Sequence, residues 1–115
     1  MVDTHLDPSV LIALQEVMED EYPELLDVFL RDSEERLRVL RKAEDSVQLM
    51  NCAHSFKGSS SNMGAVHLAE LCRELEQCAR EKKLANIEKL VKKIDSEFAI
   101  VRPLYEAERQ RSLSE

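Results

Sequence analysis

The stretch "PELLDVFLRDSEERLRVLRKA", residues 23–43, decides the fold because its apolar residues recur every three or four positions. The apolar positions are Leu26, Phe29, Leu30, Leu37 and Leu40. Charged residues occupy the other faces, so the stretch predicts an amphipathic α-helix with one apolar stripe. Such a stripe is buried by packing against other elements, and the rest of the chain supplies further helices for this.

Helix-start and helix-stop residues divide the first half of the chain. Asp7 is a candidate N-cap for a short helix that begins at Pro8 and runs to about residue 20, with Val17 among its apolar positions. Asp45 is a candidate N-cap for the third helix, which should end near residues 62–63. Gly64 then fits the left-handed position that ends many helices.

The second half of the chain predicts two more helices. The fourth covers about residues 65–82, and Asn86 is a candidate cap for the fifth. Pro103 should bend the fifth helix without ending it, and Leu104 is expected on its apolar face. The helix should end near residue 110, followed by a frayed tail from about residue 111.

Composition supports the same fold class. The chain has 115 residues, only two glycines and three prolines, and 34% charged residues. This favours helices over the many turns of a β fold. We therefore expect residues 1–115 to form a single all-α domain, an up-down antiparallel four-helix bundle with a short additional N-terminal helix.

Charge and hydropathy exclude several classes of function. The net charge of −7 is unsuited to binding nucleic acid. No apolar segment is long enough to span a membrane, and "MVDTHLDPSV" does not resemble a signal peptide. Cys52, Cys72 and Cys78 lack paired metal-ligand spacing and are expected to be reduced core residues. These features predict a cytoplasmic protein without a metal site.

The stretch "AHSFKGSSSNMGA", residues 53–65, holds the candidate site. Lys57, Gly58 and Ser61 lie within about 60° of His54 around a helix. A neutral imidazole is a good nucleophile, and Lys57 can neutralise the charge of a phosphoryl group transferred to it. Gly58 costs about 1 kcal/mol of helix stability relative to Ala, which suggests that space is needed beside the ring.

Other residues near His54 allow two interpretations. Val47 and Met50 lie on its side of the helix, either as an apolar rim for partner docking, together with Ser61, or as half-buried packing residues. His54 itself would be an ordinary solvated histidine if the helix were purely structural. His67 is expected to be a partly buried structural residue and His5 to be solvated.

The stretch resembles the histidine phosphotransfer (HPt) domain family of phosphorelays. The family signature reads approximately A-H-x-x-K-G-x-x-x-x-x-G-x-x-x-L-x-x-x-C-x-x-L-E. The matching positions are Ala53, His54, Lys57, Gly58, Gly64, Leu68, Cys72, Leu75 and Glu76. The flanking helix pattern fits over nearly the whole chain, as in a free-standing bacterial member.

The resemblance implies a function for these residues. His54 would carry a phosphoryl group between receiver-domain aspartates of a hybrid sensor kinase and a response regulator, beside Lys57 and Gly58. The receiver domain would supply Mg²⁺, so the chain would need no cofactor and would have no kinase activity of its own. The resemblance favours a monomer. Glu76 matches the signature, but the sequence suggests for it only an ion pair on the bundle surface.

Two alternatives compete with this interpretation. The first is the phosphoacceptor part of a sensor kinase, but there an acidic residue typically follows the histidine, and here Ser55 does. The second is a helical adaptor that binds receiver or kinase domains and is never phosphorylated.

Overall fold

The computed structural model describes residues 5–114, and within that range the chain is helical with no strand. Five α-helices follow one another with short connections, and a 3₁₀ turn at Glu19–Glu21 joins the first two. The helices are α1 Pro8–Met18, α2 Tyr22–Lys42, α3 Ser46–Asn62, α4 Val66–Arg80 and α5 Leu84–Leu113. This confirms the predicted all-α fold.

The four long helices form an up-down bundle with α1 packed against α2. Each of them packs mainly against two neighbours, in the ring order α2, α3, α4, α5. The apolar positions predicted for α2 are all buried in the shared core. The core therefore holds α3 firmly between α2 and α4.

The predicted start of α1 and both predicted ends of α3 are confirmed, whereas α1 ends at Met18 and the 3₁₀ turn follows it. The Asp7 carboxylate accepts a hydrogen bond from the Ser9 backbone N–H at 3.0 Å, and Asp45 accepts one from that of Gln48 at 2.7 Å. Gly64 has a φ of 77°, in the left-handed region that favours glycine. These caps set where α3 begins and where the chain turns into α4.

Contacts from both ends of the chain hold the turn between α3 and α4. The Asp7 backbone N–H donates to the Gly64 carbonyl at 2.8 Å. The buried Tyr105 hydroxyl on α5 donates to the Met63 carbonyl at 2.6 Å. The end of α3 is therefore fixed by α1 and α5 as well as by its own backbone.

The predicted bounds of α5 were wrong at both ends. The helix begins at Leu84, so Asn86 lies inside its first turn and does not cap it. The expected frayed tail is helical as far as Leu113. Arg111 explains this extension, because its guanidinium binds Glu108 one turn back and Gln15 of α1.

The apolar face of α5 also differs from prediction near Pro103, which lies inside the helix and does not end it. Leu104 is exposed, whereas Tyr105 is fully buried. The buried stripe passes through Ile94, Phe98 and Val101, and the next step of four residues reaches Tyr105.

Three further predictions near the N-terminus and α4 were wrong. His5 is half-buried, and its Nδ1 lies 2.7 Å from Oε2 of the buried Glu97. His67 is exposed instead of partly buried. Val17 is also exposed, and Leu11 is the buried residue of α1.

The three cysteines differ in their burial. Cys72 is buried, while Cys52 and Cys78 are half-buried, and all three are free thiols. Among residues 5–114, no group of His, Cys, Asp or Glu side chains is arranged to hold a metal ion. None of the described helices is both long and apolar enough to cross a bilayer.

Candidate functional site

His54 projects from the middle of α3 into solvent, and 66% of its side chain is exposed. Its neighbours on the opposite face, Ala53 and Phe56, are fully buried in the bundle core. The same helix that anchors the core thus presents an imidazole at the surface. The predicted orientation of His54 is therefore what the structure shows.

Glu76 of α4 joins His54 to Lys57. One carboxylate oxygen, Oε2, lies 2.9 Å from His54 Nδ1, and the other, Oε1, accepts a hydrogen bond from Lys57 Nζ at 3.1 Å. Arg80, one turn further along α4, lies 3.6 Å from Oε2. Only 12% of the Glu76 side chain is exposed, so the packing of α3 against α4 fixes this carboxylate.

Glu76 is ionised at neutral pH and determines which ring nitrogen of His54 is free. Burial alone would raise the pKa of Glu76, but hydrogen bonds from Lys57 and His54 outweigh it and lower the pKa below its ordinary value. A carboxylate only accepts hydrogen bonds, so His54 carries its proton on Nδ1. In the neutral ring, Nε2 then keeps its lone pair and faces away from Glu76.

Lys57 has a different immediate partner from the one that the sequence suggested. It lies one turn after His54, as predicted, but its ammonium binds Glu76 and its side chain is only 32% exposed. A lysine ammonium has three N–H donors, so two remain after this hydrogen bond. Lys57 thus combines a structural contact with a positive charge at the edge of the site.

Gly58 and Ser61 line a shallow depression beside Lys57 at the junction of α3 and α4. A Cβ atom built on Gly58 would meet no atom within 4 Å. The fold itself therefore gives no steric reason for glycine at this position. Ser61 is exposed, as expected for a residue on the same face as His54.

The two candidate docking residues differ in exposure. Val47 is 59% exposed and is free to contact a partner, whereas Met50 is half-buried and packs against the core. On the other side of the site, Arg36 of α2 donates to the Ser55 hydroxyl at 3.2 Å. The structure thus brings together His54, Lys57 and Glu76 and leaves Met50 mainly as a packing residue.

Sequence reasoning assigned no chemical role to Glu76 and missed Arg36 and Arg80. Glu76 lies 22 residues from His54 along the chain, so no helical spacing links them. The available signal was its match to the family signature, which marked the position without indicating its contact.

Comparisons with known proteins identify the family of the chain. The family model of the Hpt domain matches residues 24–104. Histidine-containing phosphotransfer protein B (HptB) from Pseudomonas aeruginosa PAO1 is 58% identical, with a TM-score of 0.90 over 93% of this chain and 96% of that chain. A search of curated proteins finds no match.

A more distant solved structure shares the fold. It is a rice protein assigned as a histidine-containing phosphotransfer protein, with a TM-score of 0.83 and 16% identity. The alignment covers 95% of this chain and 82% of that chain.

Proposed function

The chain belongs to the Hpt domain family, and on that premise we propose that it relays phosphoryl groups in a phosphorelay with His54 as the carrier. The observation that carries this proposal is the arrangement of one imidazole. The side chain of His54 is largely exposed, and its Nδ1 is held by an ionised carboxylate from the neighbouring helix. An oriented, solvent-facing nucleophile of this kind suits transfer to and from another protein.

The transfer step is a displacement at phosphorus. The Nε2 lone pair of His54 attacks the phosphorus of an aspartyl phosphate on the receiver domain, and an N–P bond forms. The bond between phosphorus and the aspartate oxygen breaks, and its electron pair leaves with the regenerated carboxylate. The Nδ1 proton stays on the ring, and Glu76 stabilises the positive charge that develops there.

The residues around His54 assist this step without reacting. Lys57 places a cation at the edge of the site, where the new phosphoryl charge appears. Gly58 leaves open space beside the ring, and Ser61 presents a hydroxyl on the same face. Val47, with a smaller contribution from Met50, offers an apolar contact for the docking partner.

The proposed partners are the receiver domains of a hybrid sensor kinase and of a response regulator. The chain supplies the nucleophile, and the receiver supplies Mg²⁺ and the reacting aspartate. We propose accordingly that the chain acts as a single-domain monomer in the cytoplasm and has no kinase activity towards ATP.

The test is phosphoryl transfer from a panel of phosphorylated receiver domains to the purified protein. Three forms are compared: wild type, His54→Gln and His67→Gln. His67 is the matched control because it is also an exposed histidine. We expect acid-labile, alkali-stable phosphate, scored by intact mass, on wild type and His67→Gln only.

Two outcomes would contradict the proposal. Phosphate on the His54→Gln protein would place the acceptor elsewhere. No phosphate on folded wild-type protein from any receiver, combined with receiver binding that His54→Gln leaves unchanged, would instead establish the non-phosphorylated adaptor.

A further inference from the structure

A groove of about 650 Å³ runs between α4 and α5 and begins beside the His54 site. We refer to it as the α4–α5 groove. Both helices contribute its outer polar residues, which are Arg73, Gln77, Arg80, Asn86, Lys89 and Lys93. Apolar atoms of the half-buried Cys78 and the buried Leu90 also line it. Lys57 and Glu76 belong both to this groove and to the His54 site, so the two are continuous.

The charge of the α4–α5 groove is opposite to that of the protein. Five cationic and two acidic side chains line it, although the whole chain has a net charge of −7. The two acids are Glu74 and Glu76. Glu76 is paired with Lys57 and Arg80, and Arg73 is paired with Glu70, so among residues 5–114 the groove cations without an ion pair are Lys89 and Lys93. The groove therefore attracts anions, while much of the remaining surface repels them.

The α5 side of the groove carries cations that the fold does not use. Lys89 and Lys93 are four residues apart and thus lie on one face of α5. Both are exposed, and neither forms an ion pair within residues 5–114. Like charges at this spacing do not stabilise a helix, so both lysines are available to an anionic partner.

We propose that the α4–α5 groove binds an acidic segment of the receiver domain that exchanges phosphate with His54. This inference rests on the proposed function and adds a second contact surface to it. Because the groove is continuous with the His54 site, a segment bound in it would belong to the same partner that docks at His54. The Asp and Glu side chains of such a segment would complement the cations of the groove. The seven helical rises from Arg73 to Arg80 span about 10 Å, which matches roughly three residues of extended chain.

The experiment measures receiver binding without chemistry. All proteins carry His54→Gln, and the dissociation constant for each receiver domain in the panel is determined by calorimetry at low and high salt. The test variant adds Lys89→Glu with Lys93→Glu. The control adds Arg31→Glu with Arg38→Glu, which makes the same change in net charge beside the grooves between α2 and α5.

We expect the test variant to weaken receiver binding by about tenfold or more at low salt, an effect of the size that lost interfacial charge pairs produce. The loss should shrink at high salt because salt screens exposed charges. The control should remain within about twofold of its parent. Lys89→Gln with Lys93→Gln serves as a milder variant, with a smaller loss in the same direction.

Other outcomes overturn the inference in distinguishable ways. An equal loss in the test and control variants would show only general charge repulsion. Unchanged receiver binding, together with NMR shifts of Lys89 and Lys93 on addition of inorganic phosphate, would assign the groove to a free anion. Failure of every receiver to bind the parent protein, together with no phosphoryl transfer to the wild type, would refute the proposed function itself.

Discussion

Replacing Glu76 with Gln tests whether this residue sets the tautomer of His54. Glutamine keeps the size of the side chain, but one of its two terminal atoms becomes an N–H donor. Lys57 only donates, so the amide oxygen should turn towards Lys57 and the amide nitrogen towards His54. His54 must then accept at Nδ1, and its proton moves to Nε2. The nucleophilic lone pair at Nε2 is lost in that tautomer.

The size of the effect follows from the hydrogen bond between His54 and Glu76. A hydrogen bond to a charged group contributes about 1.5–3 kcal/mol. His54 is 66% exposed, which favours the lower figure. At about 1.4 kcal/mol for each tenfold change in rate, transfer to His54 should slow by about tenfold.

The assay is single-turnover transfer from a phosphorylated receiver domain, combined with ¹⁵N NMR of the imidazole nitrogens. Glu16→Gln is the matched control, because it removes the same charge from an exposed position on α1, outside the α4–α5 groove. We expect the Nε2–H tautomer to increase in Glu76→Gln alone. Transfer within twofold of wild type, with Nδ1–H retained, would refute the assigned role of Glu76.

Glu76→Gln should also change how the unfolding free energy depends on pH. The pKa of Glu76 is lower in the folded protein than its ordinary value of 4.5. Its ionised form therefore stabilises the fold above about pH 4.5, and this contribution is lost as the pH falls through the folded pKa. The difference in unfolding free energy between wild type and Glu76→Gln, measured in urea, should be largest near pH 7 and shrink towards pH 3.

Three further substitutions or reactions test individual features. Gly58→Ala should raise the unfolding free energy in urea by about 1 kcal/mol, because its Cβ meets open space. It should nevertheless slow transfer to His54, and unchanged or faster transfer would contradict the need for space beside the ring. Gly64→Ala should lower the unfolding free energy by at least about 1–2 kcal/mol. The reasons are that the φ of Gly64 is 77° and that an added Cβ would lie 3.1 Å from Val10 Cβ. An unchanged midpoint of urea unfolding would contradict this. Burial raises the pKa of the Cys72 thiol to about 12. Thiol reagents at pH 8 should therefore modify the half-buried Cys78 well before Cys72. Equal modification rates, followed by mass spectrometry, would contradict the burial of Cys72.

Local sequence signals predicted the features that depend on a single helix. Asp45 and Gly64 mark the two ends of α3. The helical period places His54 on the solvent-facing side of this helix and Phe56 on the core-facing side. Each of these follows from backbone hydrogen bonding or from the angle between successive residues. They can be derived without knowing what the helix packs against.

Features that depend on contacts between helices could not be derived in this way. The hydrogen bond between His5 and Glu97 joins residues 92 positions apart, so the sequence suggested only a solvated histidine. Tyr105 was missed for a related reason. The ring of Tyr105 packs in the core, and its buried hydroxyl needs a hydrogen-bond acceptor. The Met63 carbonyl at the end of α3 is that acceptor.

The chemistry of His54 depends on the rotational register of α4. Leu75 and Ala79 flank Glu76 and are buried, so the core fixes which edge of α4 faces α3. Successive helical residues differ by about 100°, and a shift of one residue would turn Glu76 away from the imidazole. Core packing on α4 therefore selects the protonated nitrogen of a solvent-exposed ring on α3. Residues that never contact the phosphoryl group thus determine whether His54 presents a lone pair to it.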